Sequence, residues 1–274
     1  MSRNQDRLGG VQQRDASPPP SGGGLSFVVP TEFVDLPSLG RYYPEGHPLH
    51  GEETIEIRQM TAKEEDILTS TTLLKKGIAL DKVIENIIVN KQIDPKKLLI
   101  GDRNAIIIAA RVSGYGSDYN VTLTCPNCGN KDKTNFDLNC ANINKADEYT
   151  DYSVEYVGDG IFSTVLHKLQ NVEVQFRLLN GADEKELTKG VKTGDKFVTN
   201  QLHKIIHSVN GDTSTETIRS LIENLPMIDA RLIRAAYKAV NPNIELNYNF
   251  TCSNCSHEQE LEVPITAGFF WPDE

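Results

Sequence analysis

The chain has 274 residues, a formal net charge of -10, and 24% charged and 38% hydrophobic residues. These proportions are ordinary for a folded protein, and the length suffices for one sizeable core or two small ones. The acidic excess argues against a sequence-independent nucleic-acid surface, because such a surface needs clustered Lys and Arg to neutralise phosphates. No apolar run reaches the roughly 18 residues of a membrane helix, and the polar N-terminus predicts no signal peptide. We therefore expect a soluble protein that folds in a reducing cytoplasm.

The N-terminal segments differ in composition. Residues 1–24 are polar and contain runs of prolines and glycines, which predicts a disordered arm. Residues 25–115 are expected to form a loop followed by a helical subdomain. Turn-forming and aromatic residues are dense in residues 36–46 and predict a structured loop. After it, residues 61–64 (Thr-Ala-Lys-Glu) form a capping box that predicts the start of a helix.

Two further helices are predicted in this subdomain. The first has an apolar stripe at helical spacing, formed by Leu80, Val83, Ile84, Ile87 and Ile88. The second, about residues 102–112, is apolar nearly all round, which is typical of a helix at the centre of a small bundle. Glycines at 114 and 116 end this region and lead into the next segment.

Two cysteine pairs have similar sequences, Cys125-Pro126-Asn127-Cys128 and Cys252-Ser253-Asn254-Cys255. Alternating apolar residues flank each pair, which predicts a first hairpin in residues 116–140 and a second in residues 244–268. Two thiolate-bearing turns can supply four sulfur ligands to one zinc ion. Because four protein ligands leave no open coordination position, the zinc would be structural.

The sequence leaves other roles open for the four cysteines. The four residues could form two disulfides or remain plain thiols, although a two-residue gap suits a metal better than a disulfide. Cys140 and His257 could compete as ligands. We leave them outside the site because the sequence around Cys140 is not repeated and His257 follows Cys255 too closely.

The chain between the cysteine pairs is too long for a loop. Residues 141–243 are therefore predicted to be an α+β insert, with an antiparallel sheet from strands near 153–157, 162–169 and 172–179. Helical stripes follow at 198–209 and 213–225, and Asp229 is expected to cap a third helix. The predicted fold class is α+β: a four-cysteine zinc ribbon formed by two distant β-hairpins, with an N-terminal helical subdomain and this insert.

Catalytic motifs are not found in the sequence. His203 and His207 are four residues apart on a predicted helix, but the segment lacks the glutamate of a zinc-hydrolase motif. We therefore treat both histidines as surface residues. A metal-dependent hydrolase would need an open coordination position, which four cysteines do not leave. The sequence predicts no enzyme and no small-molecule substrate.

The C-terminal residues 269–274 contain an aromatic triplet, Phe269, Phe270 and Trp271. Aromatic side chains are frequent among interface hot spots, and we predict that these three form a docking tail for a partner protein. The alternative is that the triplet folds back and covers the chain's own ribbon.

Several moderate motifs together resemble the T4-like bacteriophage baseplate protein family, whose members are hub subunits or hub-assembly proteins of contractile tails. They are Leu36-Pro37-Ser38-x-Gly40 with Tyr43-Pro44, residues 61–68, the two cysteine motifs, Val209-Asn210-Gly211 with Leu225-Pro226 and Asp229, and the ending Phe269-Phe270-Trp271-Pro272. The resemblance covers about residue 27 to the C-terminus. It implies a structural or assembly role in the virion tail baseplate, with assembly in the host cytoplasm and other baseplate or hub proteins as partners.

A second function remains possible from the sequence, since four-cysteine ribbons also occur in regulators that bind nucleic acid or the transcription machinery. Such a regulator would need a basic face on the ribbon. Lys131 and Lys133 are offset by acidic neighbours, namely Asp132, Asp137, Glu258 and Glu260. We therefore do not expect nucleic acid as a partner.

Overall fold

The computed structural model describes residues 28–146, 153–169, 171–192, 197–263 and 267–270. The predicted arm at residues 1–24 and Trp271 of the predicted tail lie outside these ranges. Within them, no helix combines the length and hydropathy needed to cross a membrane. The elements are small antiparallel sheets and helices, which confirms the predicted mixed α+β class.

The N-terminal part pairs a small sheet with four helices. Strand β1 (Thr31–Asp35) is antiparallel to β2 (Thr54–Arg58), and the helices are α1 (Ala62–Thr69), α2 (Thr71–Lys76), α3 (Ala79–Ile87) and α4 (Ile100–Tyr115). The predicted capping box is confirmed, since the Thr61 N–H donates to Glu64 Oε2 at 2.9 Å. Gly77 ends α2 in the left-handed conformation that glycine adopts without steric cost.

Helix α4 is largely buried and is held at its first turn by the loop that precedes β2. Asp102 is fully buried and accepts hydrogen bonds from the Ser38 hydroxyl at 2.6 Å, the Ser38 N–H at 3.0 Å and the Tyr43 hydroxyl at 2.7 Å. These bonds satisfy a carboxylate that would otherwise be costly to bury. The predicted structured loop therefore fixes the start of the helix.

Both predicted hairpins are present. The first consists of β3 (Asp118–Thr124) and β4 (Lys131–Asp137). The segment that connects the two hairpins begins with β5 (Asn142–Asn144) and ends with β10 (Asn243–Glu245). These two strands pair with each other, and we call them the clasp. The second hairpin then consists of β11 (Asn247–Thr251) and β12 (Glu258–Glu262).

The segment between the clasp strands contains a sheet and helices, as the sequence predicts. An antiparallel sheet has the order β6-β7-β8-β9, with strands β6 (Glu155–Gly158), β7 (Ile161–Val165), β8 (Glu173–Arg177) and β9 (Ile206–Val209). The helices are α5 (Gly181–Lys192), α6 (Phe197–Ile205), α7 (Thr215–Asn224) and α8 (Met227–Val240).

The predicted helical stripe from 198 to 209 is wrong in its second half. Helix α6 ends at Ile205, and Ile206 and Val209 lie in β9, where they pair with Phe176 and Val174 of β8. The open edge of β8 offers backbone hydrogen bonds that outweigh continuation of the helix. As a consequence His203 lies on a helix and His207 on a strand, so the two histidines do not share one helical face.

The prediction that Asp229 caps its own helix is also wrong. Helix α8 begins at Met227 after Pro226, which leaves Asp229 inside the first turn. Its buried carboxylate accepts hydrogen bonds from the backbone N–H groups of His167, Lys168 and Leu169, at 3.0 to 3.1 Å. Burial alone would raise the pKa of Asp229, but these amides outweigh it and lower the pKa.

The apolar core is continuous across the described elements. Its buried side chains include Ile106 of α4, Phe162 of the four-stranded sheet, Phe250 of the second hairpin and Phe269 near the C-terminus. Both hairpins therefore rest on the same core as α4, and this core positions the cysteine turns at their tips.

Candidate metal centre

The first cysteine turn is fixed by its own backbone. The Cys125 N–H donates to the carbonyl oxygen of Asn130 at 2.8 Å, and the Gly129 N–H donates to the Cys125 oxygen at 2.9 Å. Gly129 has a φ of 72°, a conformation in which a β-carbon would be strained. The turn thereby directs Cys125 and Cys128 to the same side.

The second turn repeats this geometry. The Cys252 N–H donates to the His257 oxygen at 2.9 Å, and the Ser256 N–H donates to the Cys252 oxygen at 3.0 Å. Ser256, at the position equivalent to Gly129, has a φ of 54°. The same backbone conformation therefore occurs twice, once with a glycine and once with a serine.

The two turns bring four sulfur atoms together. Cys125 Sγ lies 3.7 Å from Cys255 Sγ, and Cys128 Sγ lies 3.6 Å from Cys252 Sγ. All four sulfurs lie within 4.8 Å of one another. A tetrahedral ion with metal–sulfur bonds of about 2.3 Å would separate its ligands by about 3.8 Å, whereas a disulfide needs about 2.05 Å. The spacing therefore fits a four-thiolate metal site and not two disulfides.

Two asparagine side chains donate hydrogen bonds to the sulfurs reciprocally. Asn127 Nδ2 of the first turn lies 3.6 Å from Cys255 Sγ, and Asn254 Nδ2 of the second turn lies 3.7 Å from Cys128 Sγ. Such reciprocal contacts are expected for two turns related by an approximate two-fold axis. Donors of this kind orient metal ligands and stabilise the negative charge of thiolates.

A further contact joins the hairpins on one side only. The carboxylate of Asp132 accepts hydrogen bonds from the Ser253 N–H at 3.0 Å and from the Ser253 hydroxyl at 2.5 Å. Asn130 Nδ2 donates to the same carboxylate at 2.8 Å. The bonds from Ser253 lower the pKa of Asp132. Asp132 therefore clamps the first hairpin to the second beside the sulfurs.

The sulfurs differ in exposure. Cys125 and Cys252 are buried, Cys255 is half-buried and Cys128 is exposed. Burial raises the pKa of the Cys125 thiol to about 11, and the amide of Asn127 lowers the pKa of Cys255. A buried thiolate at Cys125 therefore needs a compensating positive charge, which a bound cation supplies.

Cys140 and His257 do not belong to the cluster. Cys140 is exposed in a short 3₁₀ turn, Leu138–Cys140, and the His257 ring contacts Gln259 Oε1 at 3.3 Å. Sequence reasoning missed Asn127, Asn254 and the clamp at Asp132. The repeated asparagine before the second cysteine of both motifs is the signal that could have identified the two asparagines.

The described residues of the predicted tail lie inside the molecule. Phe269 and Phe270 are 1% and 4% exposed, and the Phe269 ring meets Tyr119 edge-on at 5.1 Å between centroids. Arg111 Nε donates to the backbone oxygen of Phe269 at 2.6 Å. This is the arrangement that the self-capping alternative expects, whereas docking to a partner protein stays a prediction.

Residues 31–271 match the family model described as T4 bacteriophage base plate protein. No curated protein and no solved structure matches the chain significantly.

Proposed function

The chain belongs to the T4 bacteriophage base plate protein family, and from this membership we propose that it is a structural or assembly protein of the hub region of a contractile-tail baseplate. The family match carries the proposal, because it covers nearly all of the described residues. Other baseplate proteins are the expected partners, and the virion tail baseplate is the expected location. Assembly takes place in the host cytoplasm in this account.

The four-cysteine cluster has a structural role in the proposal, with one Zn²⁺ as its ion. Thiolate ligands in tetrahedral reach favour zinc, and the four protein ligands leave no position for a substrate. The ion would join two hairpins whose cysteines are more than 120 residues apart, from Cys128 to Cys252. Its binding would therefore add to the folding free energy of the whole chain.

A baseplate role without catalysis is also supported by the closed ligand set. Two buried carboxylates are already engaged in structural hydrogen bonds, Asp102 with Ser38 and Asp229 with three backbone amides. The proposed role is therefore one of protein–protein contact.

The experiment is complementation of a phage that lacks this gene. The double variant Cys128→Ser/Cys255→Ser should fail to restore infectious particles and complete baseplates in electron micrographs. Cys140→Ser changes a cysteine outside the cluster and should complement fully. Mass spectrometry of purified baseplates and of assembly intermediates then locates the protein. Its absence from both would contradict the proposed role.

A further inference from the structure

The four sulfurs of the cluster differ in their access to solvent, and the difference follows the order of the cysteines in each motif. Cys125 and Cys252, the first cysteines of the two motifs, are buried. The second cysteines are more accessible, since Cys128 is exposed and Cys255 is half-buried. We call Cys128 and Cys255 the outer pair. Each hairpin therefore contributes one buried sulfur and one sulfur that faces solvent.

The outer pair is where a bound ion would exchange its ligands most easily. A chelator can replace a thiolate only if that thiolate turns away from the ion, and a side chain packed in a protein interior has no room to turn. This applies to Cys125 and Cys252, whose backbone N–H groups are also held by their turns. Loss of a bound ion should therefore begin at Cys128 or Cys255.

Both asparagine contacts of the cluster are made to the outer pair. Asn127 Nδ2 lies 3.6 Å from Cys255 Sγ, and Asn254 Nδ2 lies 3.7 Å from Cys128 Sγ. A metal-bound thiolate carries no proton and only accepts hydrogen bonds, so the amide nitrogen, and not the amide oxygen, must face it. Each of the two accessible sulfurs is thus held by a side chain of the opposite hairpin.

The charge of the loaded cluster favours these donors. Four thiolates outweigh one divalent cation, so the loaded cluster is an anion, and the chain that carries it has a formal net charge of -10. Hydrogen bonds to an ionised acceptor are roughly twice as strong as those between neutral groups. Groups that hydrogen-bond to metal ligands typically change metal affinity by about 10–100-fold. Two exposed amides can therefore have a measurable effect on the bound ion.

We propose that Asn127 and Asn254 are positioning residues that retain the bound ion, by holding the accessible thiolate of the opposite hairpin in place. Because each amide belongs to one hairpin and its sulfur to the other, the bonds also keep the two hairpin tips together. Release of the ion then requires both bonds to break at the outer pair. This inference rests on the proposed four-thiolate metal site and is independent of the baseplate role.

The test measures the rate at which the zinc-loaded, full-length chain transfers its ion to an excess of the coloured chelator pyridylazoresorcinol. Asn127→Ala and Asn254→Ala should each release zinc about tenfold faster than the wild type or more, and the double variant should release it faster than either. Release at the wild-type rate from the alanine variants would overturn the proposal and leave the metal site intact. A wild-type chain that binds no zinc would overturn the metal site and this inference with it.

An isosteric change separates the hydrogen bond from packing. Asn127→Asp and Asn254→Asp keep the shape of the side chain but replace the N–H donor with an anionic oxygen that repels the thiolate. Both variants should release zinc at least as fast as the alanine variants. Retention of zinc as in the wild type would show that the shape of the side chain suffices, and would overturn the proposal.

Two asparagines of the same hairpins serve as matched controls. Asn135 is exposed on β4, where its amide donates to Asn120, and Asn249 is exposed on β11. Neither lies in a cysteine turn, so Asn135→Ala and Asn249→Ala should release zinc at the wild-type rate. Far-ultraviolet circular dichroism of each variant checks that the fold is intact. Equal acceleration by these controls would show that loss of any amide on the hairpins loosens the site, and would overturn the proposal.

Discussion

Truncation of Phe269 to alanine should destabilise the protein by about 3–5 kcal/mol, as for other buried phenylalanines. The side chain is 1% exposed and meets the rings of Tyr119 and Phe270 at 5.1 and 5.2 Å. A buried aromatic ring removes about 150–250 Å² from water, and at about 25 cal/mol per Å² this burial is worth several kcal/mol. Loss of the Phe269 ring would also make the position of the Phe269 backbone oxygen less fixed, and this oxygen accepts a hydrogen bond from the buried Arg111 side chain.

The assay is equilibrium urea unfolding followed by circular dichroism, at a fixed zinc concentration so that metal binding is equal in all samples. Phe33→Ala is the matched control, because this side chain is 71% exposed, and it should change the free energy of unfolding by no more than about 0.5 kcal/mol. If Phe269→Ala is as stable as the control but is no longer incorporated into baseplates, the residue docks to a partner and the self-capping argument is refuted.

Three further predictions concern single side chains or β-carbons. Gly40→Ala should prevent native packing of its loop, because a β-carbon there would lie 2.4 Å from backbone atoms. Gly46→Ala has open space around the added β-carbon and should cost only the strain of a left-handed backbone conformation, about 1–2 kcal/mol. Urea unfolding measures the difference between the two variants. Burial raises the pKa of Glu64, but the hydrogen bonds from Arg58 outweigh burial and lower the pKa to about 2. The ionised Glu64 therefore stabilises the fold fully above its unfolded pKa near ~4, and this stabilisation is lost as the pH falls towards about 2. Glu64→Gln should reduce the loss of stability at acid pH, measured as the free energy of unfolding against pH. Asp229→Ala leaves three backbone amides without their acceptor and should cost about 3 kcal/mol or more in the same assay, and a loss below about 1 kcal/mol would contradict the assigned bonds.

Local patterns in the sequence predict the parts of this fold that depend on neighbouring residues. The capping box at Thr61 and the two cysteine turns are examples, because each is stabilised by groups within a few positions. The assembly of four sulfurs was also predictable, although the motifs are far apart, because soft ligands in repeated turns have few other uses. The contacts around the sulfurs were harder to predict, since Asp132 and Ser253 lie 121 positions apart in the sequence.

Other features depend on tertiary contacts that no local pattern contains. Ile206 and Val209 suit a helix or a strand, and only the available edge of β8 decides for the strand. The sequence pattern predicts Asp229 as a helix cap, yet it lies inside the first turn of α8 and its partners lie 60 to 62 positions away in the sequence. Arg111 is buried and donates to carbonyl oxygens of Gly116, Asp118 and Phe269, whereas its sequence context shows only a charge in an apolar run.

Elemental analysis of the purified chain tests the central claim, a structural four-cysteine zinc site, most directly. We expect one zinc per chain, retained in Cys140→Ser and lost in Cys252→Ser, with chelation lowering the melting temperature because metal binding adds to folding free energy. A metal-free protein whose melting temperature does not change on chelation would contradict the account.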